Sequence, residues 1–213
     1  MKNVGTYRTL LLDCDGVILD TNEAKGKLFY DLVLRWGSEP AQMLLDFHKK
    51  NGGVSRYQKF EYFFSNILKC KTNRSELEKL CDEFSENSKK ITLNSTLTKG
   101  VVNFLDTFKD KEKYVVSGAD EKELREVFAA RDLIEKFDGI FGSPKTKSEI
   151  IRNLNLNPET ALFIGDSKTD YDAAMDFGCD FLLMTDYSSD VRKDLIDVPS
   201  ASNFDALLKM EVK

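Results

Sequence analysis

The sequence predicts an α/β protein, a doubly wound parallel sheet whose chain is opened after its first strand to accept a helical cap. Three observations predict it. Short apolar runs recur at Tyr7–Leu12, Lys113–Ser117, Thr160–Gly165 and Asp180–Met184, each flanked by turn formers or charges. Helical periodicity fills the intervals between the later runs, as in Glu121–Ala130 and Ser148–Leu154, and Pro158 stops the second helix before the next strand. The segment 21–90 breaks this rhythm, offering no buried strand but Lys, Glu, Phe and Leu at helical spacings.

Strands that read as continuous apolar runs are buried on both faces, and their alternation with amphipathic helices implies a parallel, Rossmann-like sheet covered on each side. The expected division is therefore an α/β core of 1–20 and 91–213 with a cap of 21–90. Within the cap, Leu28, Leu32 and Trp36, then Phe60, Phe63 and Phe64, then Leu77, Leu80 and Phe84 form apolar stripes that read as its own small core. Asn51-Gly52-Gly53 marks a break between two cap helices.

The chain has 213 residues and a formal net charge of −5. That balance excludes a dedicated nucleic-acid binder, which needs a basic surplus to displace counterions from the phosphate backbone. No stretch approaches a membrane span. The first residues, Met1–Thr9, lack a basic start followed by an apolar run, so no secretory signal is expected. Cys14, Cys70, Cys81 and Cys179 are scattered without a CxxC pair, the pattern of reduced thiols in a cytoplasm. Oligomeric state has no signature here.

The first strand ends in Asp13-Cys14-Asp15-Gly16. Residues i and i+2 of a strand share a face, so both carboxylates can converge beyond its carboxyl end, where open parallel sheets bind ligands. Alone, such a pair is equally well read as a solvated turn. A second strand, however, ends in Gly165-Asp166-Ser167, with Asp170 in the first turn of the next helix. Two acidic strand ends in one sheet make an all-oxygen site suited to Mg²⁺. Ser117-Gly118-Ala119-Asp120 adds a hydroxyl and backbone N–H groups at a strand-to-helix turn, and Lys145 and Lys147 stand at the mouth of another helix. An anion among these groups would explain lysines near a positive helix end.

These segments resemble, in order, the four motifs of the haloacid dehalogenase-like hydrolases: Asp13–Thr21, Val115–Gly118, the Lys145/Lys147 segment and Gly165–Asp170. The insert resembles the helical cap of the subgroup containing phosphoglycolate phosphatase and β-phosphoglucomutase, and Gly53-Val54-Ser55-Arg56 its substrate-covering loop. The resemblance implies a phosphatase acting on a small phosphate ester, with sugar phosphates as the leading class. Asp13 would be the nucleophile that becomes aspartyl-phosphate, and Asp15 the acid and then the base, its pKa raised by the neighbouring carboxylate. It further implies Mg²⁺ held by Asp13, the Asp15 carbonyl and Asp166, with Asp170 in support. Ser117, Gly118 and a lysine, Lys147 in preference to Lys145, would hold the phosphoryl oxygens. Arg56 and Lys59 are the candidates for reading the rest of the substrate. Lys25 stands near where the mutases carry a histidine, which weakens the alternative of a phosphosugar mutase, and His48 reads as an ordinary helical residue. A phosphorylatable receiver-like domain is the third reading; it needs an open face that a cap would cover.

Overall fold

The computed structural model describes residues 2–188, 195 and 197–211. Its sheet is parallel, with β1 (Thr9–Leu12), β2 (Glu112–Asp120), β3 (Gly139–Ser143), β4 (Ala161–Gly165), β5 (Asp180–Met184) and β6 (Ser200–Ala201) in the spatial order β3-β2-β1-β4-β5-β6. The chain builds outward from β1 on one side, then returns to start again at β4. The switch point therefore lies between the carboxyl ends of β1 and β4, the place where such sheets open a ligand crevice.

Strand alternation divides the core into two layers. Leu10 and Leu12 of β1 join Val115, Leu162 and Ile164 on one face, beneath α5 (Val101–Thr107), α6 (Glu121–Ala130) and α9 (Phe204–Glu211). Leu11 joins Val116, Phe163 and Leu183 on the other, beneath α7 (Lys147–Asn153) and α8 (Lys168–Phe177). Both faces being covered explains why these strands read as unbroken apolar runs. The expected strands β1, β2, β4 and β5 and helix α6 are present, and β2 runs on to Asp120. Two strands, β3 and β6, are additions to the expectation.

Between β1 and α5 lie α1 (Asn22–Val33), α2 (Ser38–Lys50), α3 (Arg56–Tyr62) and α4 (Arg74–Asn94). Their apolar stripes meet in a separate cluster of Phe29, Val33, Leu44, Phe60, Phe63, Leu80 and Phe84, with Leu28, Leu32, Trp36 and Leu77 packed around it. The two passages into and out of these helices run side by side. Asp20 N–H donates to the Thr96 carbonyl at 3.0 Å, and Thr98 N–H to the Ile18 carbonyl at 3.0 Å.

Candidate active site at the sheet switch point

Asp13 follows β1 and keeps its ladder, its N–H donating to the Ile164 carbonyl of β4 at 3.0 Å. This puts its side chain, 3% exposed, at the switch point. Across from it Asp166 leaves β4 in a bend. Gly16, at φ +77°, lets the intervening turn close: a Cβ there would lie 2.4 Å from Asp166 Oδ2. Carboxylate oxygens of Asp13, Asp166 and Asp170 all fall within 4.8 Å of one another.

Asp170 sits in the first turn of α8. Its Oδ2 accepts from Ser167 Oγ and from the N–H groups of Asp166 and Ser167, a capping box that shapes the turn. Its Oδ1 accepts from Lys147 Nζ at 2.5 Å. Lys147 is the first residue of α7, set there by a capping box between Thr146 and Glu149. The same Nζ lies 2.9 Å from Asp13 Oδ1, an ion-pair contact off the line of a hydrogen bond, so that oxygen is buried without a directed partner. Lys145 is exposed and faces a neighbouring depression of about 220 Å³ instead. Of the two lysines, the structure brings only Lys147 to the acids.

Burial pushes Asp13 up to about 7, with Asp170 and Asp15 adding to the rise and Lys147 opposing it. Burial and the charges of Asp13 and Asp170 push Asp166 well above the ordinary carboxylate range. For Lys147, burial disfavours the ammonium, but Asp13 and Asp170 outweigh it and raise its pKa. Acids this crowded and dry favour a cation, and an orphaned carboxylate oxygen beside two others fits a hard divalent ion.

Asp15 behaves differently from expectation. Burial alone would raise it, but Lys25 bonds both its oxygens, at 2.6 and 2.8 Å, and Thr21 donates as well. The net effect lowers its pKa, correcting the rise expected from a neighbouring carboxylate. Asn22 Nδ2 similarly donates to Asp166 Oδ2 at 2.7 Å. Lys25 and Asn22 both sit at the start of α1, so the cap's first helix delivers polar groups onto two core acids.

Ser117 is buried within β2, which continues past it to Asp120, and its Oγ accepts from Ala119 N–H at 3.2 Å. Gly118 is pressed by the cap: a Cβ there would meet the Gly53 carbonyl oxygen at 2.0 Å. Thr169 Oγ1 donates to the Gly52 carbonyl beside it. The loop between α2 and α3 thus closes over the site. Beneath it is a cavity of about 60 Å³, lined on the core side by Asp13, Asp15, Asp166, Ser117 and Gly118. Its cap side is lined by Lys25, His48, Arg56 and Lys59 between the rings of Phe29 and Phe84.

Arg56 reaches this cavity with its guanidinium committed to Glu123 of α6 at 2.7 and 2.8 Å. Lys59 Nζ lies 2.9 Å from His48 Nδ1. His48 is therefore no ordinary helical residue but part of the cavity wall. Lys25, Asn22, His48 and Glu123 are the polar neighbours that sequence spacing does not reveal. Lys25 carries the one local hint, an unpaired charge in the first turns of the helix that follows the acidic motif.

A sheet with acids at its switch point and a lysine between them, closed by a helical lid, defines an enzyme of the α/β class with a carboxylate centre. The family model for haloacid dehalogenase-like hydrolase matches residues 10–184, and the chain belongs to that family. Solved structures of the same fold include a predicted phosphatase from Clostridium acetobutylicum, 19% identical over 97% of this chain and 99% of that one, TM-score 0.75. Another is the HAD-hydrolase YfnB from Bacillus subtilis bound to magnesium, 19% identical over 97% and 99%, TM-score 0.70. A third is CbbY from Rhodobacter sphaeroides in complex with phosphate, 16% identical over 93% and 95%, TM-score 0.71. No curated protein sequence matches the chain. Among the described residues, no helix is long and apolar enough to cross a membrane.

Proposed function

We propose that this hydrolase is a Mg²⁺-dependent phosphomonoesterase that carries the phosphoryl group on Asp13 and acts on a small phosphorylated metabolite of the sugar-phosphate kind. The observation that carries the reading is the buried Asp13 carboxylate beside those of Asp166 and Asp170, with Lys147 Nζ 2.9 Å from its Oδ1. The solved relatives described as phosphatase, magnesium-bound and phosphate-bound point the same way. Asp13 and Asp166 carboxylates, with the Asp15 carbonyl and Asp170 in support, would hold Mg²⁺. That ion supplies charge neutralisation between an anionic nucleophile and an anionic phosphate.

Asp13 attacks phosphorus, forming an aspartyl-phosphate as the ester P–O bond breaks. The departing oxygen takes a proton through Asp15. Lys25 keeps Asp15 ionised, so the proton needs a donor behind it, and the Lys25 ammonium at 2.6 Å is within reach. Water then attacks the acyl phosphate, Asp15 accepts its proton and passes it back to Lys25, and inorganic phosphate leaves with Asp13, Asp15 and Lys25 restored. Ser117 and Lys147 steady the phosphoryl oxygens.

The mutase reading rests on the Gly53–Arg56 loop, whose arginine is engaged by Glu123. The receiver-like reading is opposed by the lid pressed on Gly118. Hydrolysis of 4-nitrophenyl phosphate with Mg²⁺ tests the proposal: Asp13→Asn should abolish it, and activity surviving at the wild-type level removes the assignment. Incubation with a hexose phosphate separates the mutase, which would return isomerised sugar instead of free phosphate.

A further inference from the structure

Asn22 is the first residue of α1, yet both hydrogen bonds of its amide nitrogen leave that helix. Nδ2 donates to Asp166 Oδ2 at 2.7 Å and to the Tyr187 carbonyl at 2.8 Å. Both partners are acceptors, so the NH₂ end of the amide must face them, and its two hydrogens are both spent. Gly16 leaves the room: a Cβ there would stand 2.3 Å from Asn22 Nδ2. From the other side, Ser188 Oγ donates to the Asp166 main-chain carbonyl at 2.7 Å. Asp166 is thus held at its side chain from the cap and at its backbone from the chain that follows β5.

The four acids of the site are met unequally. Asp13 and Asp170 face the Lys147 ammonium at 2.9 and 2.5 Å, and Asp15 faces the Lys25 ammonium at 2.6 Å. Asp166 has no cationic side chain within ion-pair distance among the described residues; a neutral amide meets it instead. A neutral donor orients a carboxylate without cancelling its charge, so this acid keeps the most to offer a divalent ion. Asn22 takes Oδ2, and no described residue donates to Oδ1.

We infer that Asn22 is a positioning residue for the metal centre: by holding Asp166 Oδ2 it leaves Oδ1 for Mg²⁺ and so sets the affinity of the site for the ion. The inference rests on the Mg²⁺-dependent phosphatase reading given above and adds to it a cap residue that acts through a ligand. A hydrogen-bond partner one step behind a metal ligand is worth about ten- to a hundredfold in metal affinity.

Asn22→Leu tests it, since leucine keeps the branched shape and loses both donors. The Mg²⁺ dissociation constant is read without turnover, from the rise of melting temperature with MgCl₂ concentration. It should be about tenfold higher or more in Asn22→Leu than in the wild type. The Mg²⁺ needed for half-maximal hydrolysis of 4-nitrophenyl phosphate should move with it, the lost rate returning as Mg²⁺ is raised. If Asn22→Leu does not fold, Asn22→Ala carries the same expectation. Equal affinities, tighter binding in the variant, or a fall in rate that excess Mg²⁺ does not restore overturns the proposal. The phosphatase reading then still stands on hydrolysis that needs Mg²⁺ and that Asp13→Asn abolishes. Weaker Mg²⁺ binding in the variant, with no hydrolysis by the wild type, would uphold Asn22 and remove the phosphatase. Wild-type protein that binds no Mg²⁺ overturns the role of Asn22, and if it hydrolyses nothing either, both readings fall.

Discussion

Arg56 of the lid and Glu123 of the core form a two-pronged pair, Nη1 to Oε1 at 2.7 Å and Nη2 to Oε2 at 2.8 Å, with the arginine side chain 4% exposed. Ser85 of α4 and the Phe84 ring complete the seat. The pair joins α3 of the cap to α6 of the core, alongside the ion pair of Lys89 on α4 with Glu126 on α6. A fork geometry of this kind fixes orientation as well as proximity.

Removing one partner leaves the other buried and uncompensated. Glu123→Ala should therefore cost about 3 kcal/mol, the low end for a broken buried pair because Glu123 is partly exposed. In a chain of this size that is about 6–12 °C in melting temperature. A loss confined to a degree or two in thermal denaturation would show that the pair contributes little to closure.

Lys147 and Lys145 separate cleanly as a prediction. Lys147→Met leaves Asp13 and Asp170 facing each other without their shared cation and, in the proposed mechanism, removes the group that steadies the phosphoryl oxygens, so kcat should fall about a hundredfold or more. Lys145→Met, at an exposed position facing a different depression, should change kcat/KM by less than about threefold. Steady-state kinetics on an aryl phosphate decide it, and the reverse order of effects would reassign the lysine.

Metal removal has a stability signature as well as an activity signature. Three carboxylates within 4.8 Å repel, and a divalent cation relieves that repulsion. Chelation should abolish hydrolysis, and added Mg²⁺ should raise the melting temperature of the wild-type protein. In Asp166→Asn the repulsion is already reduced, so the metal-free variant should melt higher than the metal-free wild type and respond less to Mg²⁺. Equal Mg²⁺ responses in both would remove Asp166 from the ligand set.

How much of this was legible in the sequence follows from range. The strands β1, β2, β4 and β5 announce themselves because burial on both faces makes their runs apolar throughout. Gly139–Ser143 does not, since GIFGS carries two glycines and only two large apolar residues, and β6 is two residues long. Asp13, Asp166 and Lys147 can be placed because each sits at the edge of a strand or helix whose end is marked locally. The partners that set their chemistry cannot. Lys25 reaches Asp15, and Arg56 reaches Glu123, only after the lid has folded onto the sheet. The same long-range packing reverses the expected shift of Asp15: the nearest charge in sequence is a carboxylate, the nearest in space an ammonium.

Lys59 should write itself into the pH dependence of stability. Its pKa falls from 10.5 in the unfolded chain to about 7 in the fold, so between those values the unfolded state binds more protons. Its contribution to stability is therefore full above about 10.5 and is lost as pH falls toward 7, by up to about 1.4 kcal/mol per pH unit. Lys59→Met carries no such proton. Its advantage over the wild type in urea midpoint should be greatest at pH 7 and below, and should shrink steadily as pH rises to 9.5. A difference independent of pH would mean that the ammonium is not destabilised by burial.

The approach of the lid to Gly118 yields the sharpest test of lid function. Gly118 and Gly53 meet backbone to backbone, and a Cβ on Gly118 would stand 2.0 Å from the Gly53 carbonyl oxygen and 2.7 Å from its carbonyl carbon. No rotamer relieves a clash with main chain, so Gly118→Ala must push the 52–55 loop outward. Gly118 does not sit at positive φ, so the substitution carries no intrinsic backbone strain and the sheet itself can fold. The lid, held off the site, would no longer exclude water from the cavity or bring Lys59 and Arg56 over it. Gly118→Ala should accordingly keep its far-ultraviolet circular dichroism and cooperative melt while losing about tenfold or more in kcat/KM on a small phosphate ester. Gly118→Ala with wild-type kinetics would show that the lid's contact with Gly118 is not needed for turnover, and would return the loop's role to packing alone.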